Sequence, residues 1–382
     1  MRRLLWLCIF VTAVLAAAAG DSIAADTLQP HPKPNLIQRI KKYFDNANKP
    51  REYKKFDISV IGGPYYSSEN SLGAAVVASG FYRSGEIDTL LPPSNMSIFG
   101  DLSIIGYVSA GIEGTHIFPH DRMRLNYGFT FEYMPTYYWG IGYEAARNRD
   151  NRTSYNKISY LATLDFLVRI GRNVYLGPGI EVSFTEALNP DNKERWEGAH
   201  LSDSSNGIGL TFAFDTRDNF TAPKRGVNLR LEQRFFPAWL WNRERFGYIS
   251  AWASAYQKAW RGAVIAEYMH VRGAYGNVPW CMLSTFGGSR DMRGYYLGQY
   301  RDKCALDFAV ELRQHIWRRN GLALWVGGGC VAPRLSEFSL SSFLPNAGIG
   351  YRWEFKRNSN VRVDFGIGKS TNAFLFSINE AF

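Results

Sequence analysis

After the first twenty or so residues, no stretch of this sequence offers the roughly 18 consecutive apolar residues that a spanning helix needs, and the mean hydropathy is -0.23. A polytopic helical membrane protein is thereby excluded. Charged residues make up only 20% of the chain, which excludes disorder and coiled coil. Cysteine is scarce, four residues in 382, with no Cys-x-x-Cys, and the six histidines are scattered. Ligand spacing therefore gives no metal site. There is no Gly-x-Ser-x-Gly, since Gly287-Gly288-Ser289 runs on into Arg290-Asp291, and no phosphate loop. No nucleophile–base pair stands out, so no catalytic residue and no cofactor is assigned. The net charge is +10, but the basic residues recur singly, as at Arg230 and Arg234 or Arg362 and Lys369. Nucleic-acid binders concentrate such charge in stripes, so no nucleic-acid partner is expected.

What the sequence has in excess is aromatic residues, at 15%, and glycine, 36 residues. It also has period-two alternation. In 305–316, Leu306, Phe308, Val310 and Leu312 oppose Asp307, Glu311, Arg313 and His315. In 226–236, Val227, Leu229, Leu231 and Phe235 oppose Asn228, Arg230, Glu232 and Arg234; in 360–369, Val361, Val363, Phe365 and Ile367 oppose Arg362 and Asp364. Strand side chains alternate between faces, so each segment has one oily and one charged side. The segments run near the ~9–11 residues that cross a bilayer at a tilt, longer than the strands of a soluble sandwich. Lipid on one side and a wet lumen on the other fit this pattern. About sixteen such segments begin near Phe56, Leu72, Ser103, Met123, Tyr137, Lys157, Asn173, Asn206, Gly226, Phe246, Gly262, Lys303, Leu322, Phe343, Asn360 and Thr371. The expectation is an all-β chain, a sixteen-stranded antiparallel transmembrane barrel with outer-membrane lipid around it. An even count suits a bacterial barrel, and closure satisfies every backbone group.

The organisation along the chain follows. Arg2 and Arg3 precede the apolar run 4–19, and small residues follow through Ala25; residues 1–25 read as a secretory signal peptide. Residues 26–55 read as a leader with a short amphipathic helix, in which Leu36, Ile37, Ile40 and Phe44 share one face. The barrel is assigned to 56–382. With Cys8 removed, Cys281, Cys304 and Cys330 remain. An odd number leaves one thiol unpaired; Cys304 and Cys330, near the outer ends of adjacent segments, are the disulfide candidates. A long Gly- and aromatic-rich connection, about 274–302, joins segments eleven and twelve and falls on the outer side. The inward carboxylates Asp165, Glu181, Glu232 and Glu311 read as a charged lumen wall.

Within that connection stands Gly287-Gly288-Ser289-Arg290-Asp291-Met292-Arg293-Gly294-Tyr295, followed on segment twelve by Val310-Glu311-Leu312-Arg313. This resembles the Arg-Gly-aromatic loop of the Omp85 superfamily, the BamA/TamA or bacterial surface antigen D15-type family. Asp215-Thr216-Arg217-Asp218-Asn219 with Pro223 and Gly226 resembles that family's turn between strands eight and nine. Gly63-Pro64-Tyr65-Tyr66 resembles its first strand, and Arg362-Val363-Asp364-Phe365-Gly366 through Phe382 its last strands. The resemblance implies a sixth outer loop folded into the lumen, with the loop arginine, here Arg293 beside Gly294 and Tyr295, latched to acids on strands twelve and thirteen. Glu311 is the matching acid on strand twelve. The usual strand-thirteen Asp is replaced by Gly327, so the latch rests on Glu311 alone or on Asp307. The terminal Phe382, after Phe374, Phe376 and Ile378, resembles the signal of outer-membrane barrel clients or serves as an aromatic-belt anchor.

The family further implies protein insertion or translocation at the outer membrane of a Gram-negative bacterium. Members of that kind carry POTRA domains that capture substrate by strand addition. This sequence reads as a barrel-only branch that takes capture from a periplasmic or outer-membrane assembly partner, with a seam between first and last strands, near Gly63 and Pro64, that opens laterally. The alternative is a plugged passive conduit, a lipid-handling barrel or a structural barrel with surface-exposed binding loops.

Overall fold

A strand with lipid on one face satisfies its backbone only through its neighbours, so the sheet must curl on itself. The computed structural model describes residues 56–82, 93–356 and 358–382, and these form one sixteen-stranded antiparallel sheet whose order follows the chain. The strands are β1 (Phe56–Ser67), β2 (Ser71–Tyr82), β3 (Ser94–Ser103), β4 (Val108–Ile117), β5 (Met123–Tyr138), β6 (Thr153–Gly171), β7 (Val174–Leu188) and β8 (Ser202–Asp215). They continue as β9 (Gly226–Phe236), β10 (Phe246–Lys258), β11 (Ala263–Gly276), β12 (Cys304–Trp317), β13 (Asn320–Ala332), β14 (Leu344–Lys356), β15 (Ser359–Gly368) and β16 (Thr371–Ile378). The signal peptide and leader read in 1–25 and 26–55 lie outside the described residues.

The two faces follow the alternation. On β6, Leu164, Phe166, Val168 and Ile170 are exposed, while Asp165 and Leu167 between them are buried. On β12, Phe308 and Val310 point out and Asp307 and Glu311 are fully buried; on β15, Phe365 and Ile367 oppose buried Arg362 and Asp364. An apolar outer band of this extent marks a lipid-facing surface. Connections at one end are long, among them 139–152, 189–201 and 277–303, while 172–173 and 318–319 at the other end are minimal. Long loops lie outside and short turns inside in barrels of this kind.

Two expected strand starts differ. Ser103 ends β3 rather than opening a strand, and Tyr137 lies near the end of β5. The turn between β3 and β4, Ile104-Ile105-Gly106-Tyr107, is mostly apolar and carries no Asn, Asp or Pro, so it read as strand. In β5 the opposite happened: Pro135 reads as a terminator, yet it is paired in register with Asn156 inside a sixteen-residue strand. The two misreadings cancel, so the numbering from β6 onward is the expected one.

The cysteines also differ from expectation. Cys281, Cys304 and Cys330 are all free. Cys304 pairs in register with Ala332, and Cys330 with Leu306, so the two thiols sit on a diagonal two residues apart. Diagonal neighbours are about 7–8 Å apart, beyond ordinary disulfide reach.

Candidate functional site

The connection 277–303 does not stand clear of the barrel. Ser284–Thr285 pairs with Arg301–Asp302 at its base. Above this ladder, Phe286, Met292, Tyr295 and Tyr300 are buried together with Trp139, Val331 and Leu344. A second aromatic group joins Trp280 of the loop to Tyr138, Tyr155 and Trp196, with Tyr138 and Trp196 stacked at 4.4 Å. Such pairs add to the area they bury, and they fix where the loop tip descends.

At that tip Arg293 is 1% exposed. Its guanidinium donates to Glu311 Oε2 at 2.6 Å and to Asp364 Oδ2 at 2.9 Å. It also lies 3.7 Å above the centre of the Trp325 ring, a cation–π contact in a desolvated place. Asn346 completes the cradle: its amide donates to the Arg293 carbonyl, and its side-chain oxygen accepts from Trp325 Nε1 at 2.9 Å. Burial opposes the charged form of Arg293, and the Glu311 and Asp364 carboxylates outweigh it, pushing its pKa above the ordinary arginine value. Fork geometry suits arginine here and not lysine, because two carboxylates are met by one planar group.

Close backbone approach makes this docking possible. A Cβ on Gly366 would lie 2.1 Å from the Arg293 carbonyl oxygen, so the loop rests directly on β15. Gly294 takes a φ of +118°, a conformation that glycine adopts freely, and its carbonyl accepts from Thr371 Oγ1 at 2.9 Å. Tyr295 then reaches the wall with its hydroxyl, donating to Pro345 O at 2.7 Å and accepting from Lys369 N at 2.7 Å.

The sequence-read loop residues Arg293, Gly294 and Tyr295 and the acid Glu311 thus come together. Asp307 does not join them: its partner is His270, Nδ1 to Oδ1 at 3.2 Å. The second acid is Asp364 on β15, in the stretch 362–366, to which alternation assigns a face but no partner. Around the pair stand three further arginines. Arg313 donates to Glu311 Oε1 at 2.7 Å, Arg352 to Asp364 Oδ1 at 2.6 Å, and Arg362 lies 3.3 Å from Asp364 Oδ2. Buried charges of this density hold only as an alternating network.

Glu380 extends the network toward the inner mouth. It accepts from Arg352 Nε at 2.9 Å and from Asn360 Nδ2 at 2.6 Å, and lies 3.5 Å from Arg313. It arrives there because the strand stops at Ile378 and Asn379 takes a left-handed φ of +66°. Phe382 is therefore not the last outward residue of β16. Its ring packs 4.4 Å from Tyr268, with the Arg313 guanidinium 5.2 Å away. Glu380, which breaks the apolar alternation of the last strand, follows the arginines inward.

The turn between β8 and β9 is built by its own side chains. Arg217 donates to Asp215 through Nε at 3.0 Å and a terminal nitrogen at 2.7 Å. Asp218 accepts from the backbone of Lys224 and Arg225, Pro223 is buried, and Gly226 has a φ of +105° where a Cβ would strike Thr216 O. Thr221 O accepts from Glu380 N at 3.3 Å, which joins this turn to the inward tail. The other inward acids are individually satisfied: Asp165 by Arg230, Arg234 and Thr211, Glu232 by Arg230, and Glu181 by Tyr248.

The seam is built differently. Among the described residues no ladder joins β1 to β16. Ser68 N donates to Phe374 O at 3.0 Å, Phe374 N donates to Ser68 Oγ at 2.9 Å, and the rings of Tyr65–Phe376 and Tyr66–Phe374 lie 6.4 and 6.0 Å apart. Gly63 and Pro64 sit in β1 opposite Ala75 and Ala74, and β16 is the shortest strand at eight residues.

A family model described as the Omp85 superfamily domain matches residues 107–368. No curated protein matches the chain. Among solved structures, BamA from Haemophilus ducreyi lacking POTRA domains 1–3 is similar, with a TM-score of 0.55 at 13% identity over 86% of this chain and 71% of that one. CdiB from Escherichia coli gives 0.56 at 12% identity over 86% of this chain and 64% of its own. CdiB from Acinetobacter baumannii gives 0.52 at 12% over 86% and 60%. The chain thus spans less than two thirds of either CdiB chain, and at these identities the likeness is one of fold.

Proposed function

The chain belongs to the Omp85 superfamily, and on that premise we propose that it assists the insertion or translocation of proteins at the outer membrane, together with a separate substrate-capturing partner. Members of the family are non-enzymatic transporters or insertases of the Gram-negative outer membrane that work with partner proteins. The signal peptide read in residues 1–25 is the proposed route of export. The observation that carries the reading is the seam: ladders join the other neighbouring strands, while among the described residues none joins β1 to β16, which approach each other near Ser68 and Phe374. Each net hydrogen bond contributes only about 0.5–1.5 kcal/mol, so this joint opens at far lower cost than any other. Arg293, Gly294, Tyr295 and Glu311 act as the latch that holds the loop in the lumen while the seam works.

The test is a disulfide lock. Cysteines replace Tyr66 and Phe374 in a chain whose Cys281, Cys304 and Cys330 are serine, and barrel-client insertion is followed in proteoliposomes and in cells. Oxidation is expected to abolish insertion and reduction to restore it. Full insertion by the locked barrel overturns the reading. The plugged conduit is the second reading, favoured by the loop and tail that both enter the lumen. It is supported if the locked barrel keeps its cellular role and an Arg293→Ala variant conducts ions in planar bilayers.

A further inference from the structure

Ligand spacing in the sequence gave no metal site, but the fold gathers one. His270 on β11, Asp307 on β12 and Asp291 in the loop each offer a ring nitrogen or carboxylate oxygen, and these atoms lie within 4.8 Å of one another. Asp307 is fully buried; one oxygen meets His270 Nδ1, and the other, Oδ2, has no hydrogen-bond partner. The Tyr268 hydroxyl also faces this carboxylate and favours its charged form, yet Oδ2 itself is left without a hydrogen bond of ordinary geometry. A sealed carboxylate oxygen with nothing to accept from is costly, and a second carboxylate facing it adds repulsion.

The remaining contacts are those of a prepared ligand set. His270 Nε2 is held by Ser250 Oγ at 3.1 Å, the outer partner that orients a metal-binding imidazole. Asp291 has one oxygen, Oδ1, engaged by Arg290 Nε at 3.1 Å, and the Arg290 side chain is itself largely exposed over the Trp252 ring. We propose that His270, Asp291 and Asp307 bind a divalent first-row cation, for which zinc is the probe. One imidazole and two carboxylates suit this class. Bond lengths of about 2.0–2.2 Å place ligand atoms roughly 3–4 Å apart, so a shift of about 1 Å closes the site. The cation neutralises the acid pair and fills the vacancy at Asp307 Oδ2. It also staples the loop to β11 and β12, two residues before Arg293, independently of the arginine network and of the proposed function.

The experiment uses the untagged full chain in detergent, stripped with a chelator and titrated with zinc chloride by calorimetry. One equivalent is expected to bind and to raise the unfolding temperature. Asp291→Asn, on the loop and clear of the wall, and His270→Gln are each expected to weaken binding on the order of tenfold or more. Both variants must show the heat-modifiable gel mobility of a folded barrel, and Glu69→Gln, outside the site, is expected to bind as the parent does. Absence of saturable binding overturns the proposal, and a proton then satisfies the acid pair. Equal binding by the parent and both variants also overturns it, because the zinc then sits elsewhere.

Discussion

Two parts of one barrel wall are held together by opposite means. From β12 to β15 the lumen side carries the buried Arg313, Arg352 and Arg362, which with Arg293 of the loop are interleaved with Glu311 and Asp364 of the wall and Glu380 of the tail. Between β1 and β16, among the described residues, no ladder forms, and the contacts include two hydrogen bonds through Ser68 and Phe374 and a pair of loose aromatic contacts. The first region is rigid because every charge depends on its neighbours, so none can leave alone. Among the described residues the second contains no buried charge, and no ladder has to part there. A single fold thus places its most interdependent packing where the loop docks and its least interdependent packing at the seam proposed to open.

The comparison can be broken from the strong side first. Arg293→Ala removes the cation that ties Glu311 and Asp364 to the loop and leaves Arg352 as the arginine that contacts both; removing one partner of a buried pair costs about 3–5 kcal/mol. Thermal unfolding in detergent is expected to show a loss of that order, with trypsin cutting newly exposed bonds in 277–303. Gly366→Val drives a side chain into the Arg293 carbonyl, and overpacking of this kind costs about 1–3 kcal/mol; the same protease assay is expected to show the loop released with the strands intact. Glu380→Gln keeps the shape of the tail and removes its charge from Arg352 and Arg313. A charged hydrogen bond contributes about 1.5–3 kcal/mol, and hydrogen exchange at 379–382 is expected to rise while the loop stays protected.

The smallest effect depends on pH. In the turn between β1 and β2, Glu69 accepts from Leu297 N at 2.7 Å, and burial pushes its pKa from the ordinary 4.5 up to about 7. The folded state therefore holds this proton after the unfolded chain has lost it, and stability falls as pH rises from about 4.5 through about 7. Because Glu69 is only partly buried, the slope is slight. Melting curves at pH 5 and pH 8 are expected to differ less for Glu69→Gln than for the parent chain.

Alternation made the barrel and its two faces legible, because a strand's period depends on nothing but its own residues. It also placed Glu311 inward, and the loop motif singled out Arg293. Alternation assigns a face but neither height nor position around the wall, and the rest of the site depends on those. The strand-thirteen acid is absent at Gly327, and the compensating Asp364 comes from β15, two strands away. Trp325, on β13 itself, contributes a ring in place of a carboxylate. Asp307 shares Glu311's face, but its height puts it beside His270 instead of Arg293. The inward turn of the tail had one visible sign, a charged Glu380 among apolar neighbours; its cause, the left-handed Asn379, is a backbone choice that the pattern does not encode.

The contrast between the two regions is tested most directly by hydrogen–deuterium exchange on the full chain in lipid nanodiscs, comparing peptides of β1 and β16 with those of β12 to β15 in the parent and in Arg293→Ala. The account predicts fast exchange along the seam in both proteins, and slow exchange across β12 to β15 and the loop tip that is lost in the variant. Seam peptides as well protected as β12 to β15, or a loop whose protection survives the loss of Arg293, would contradict it.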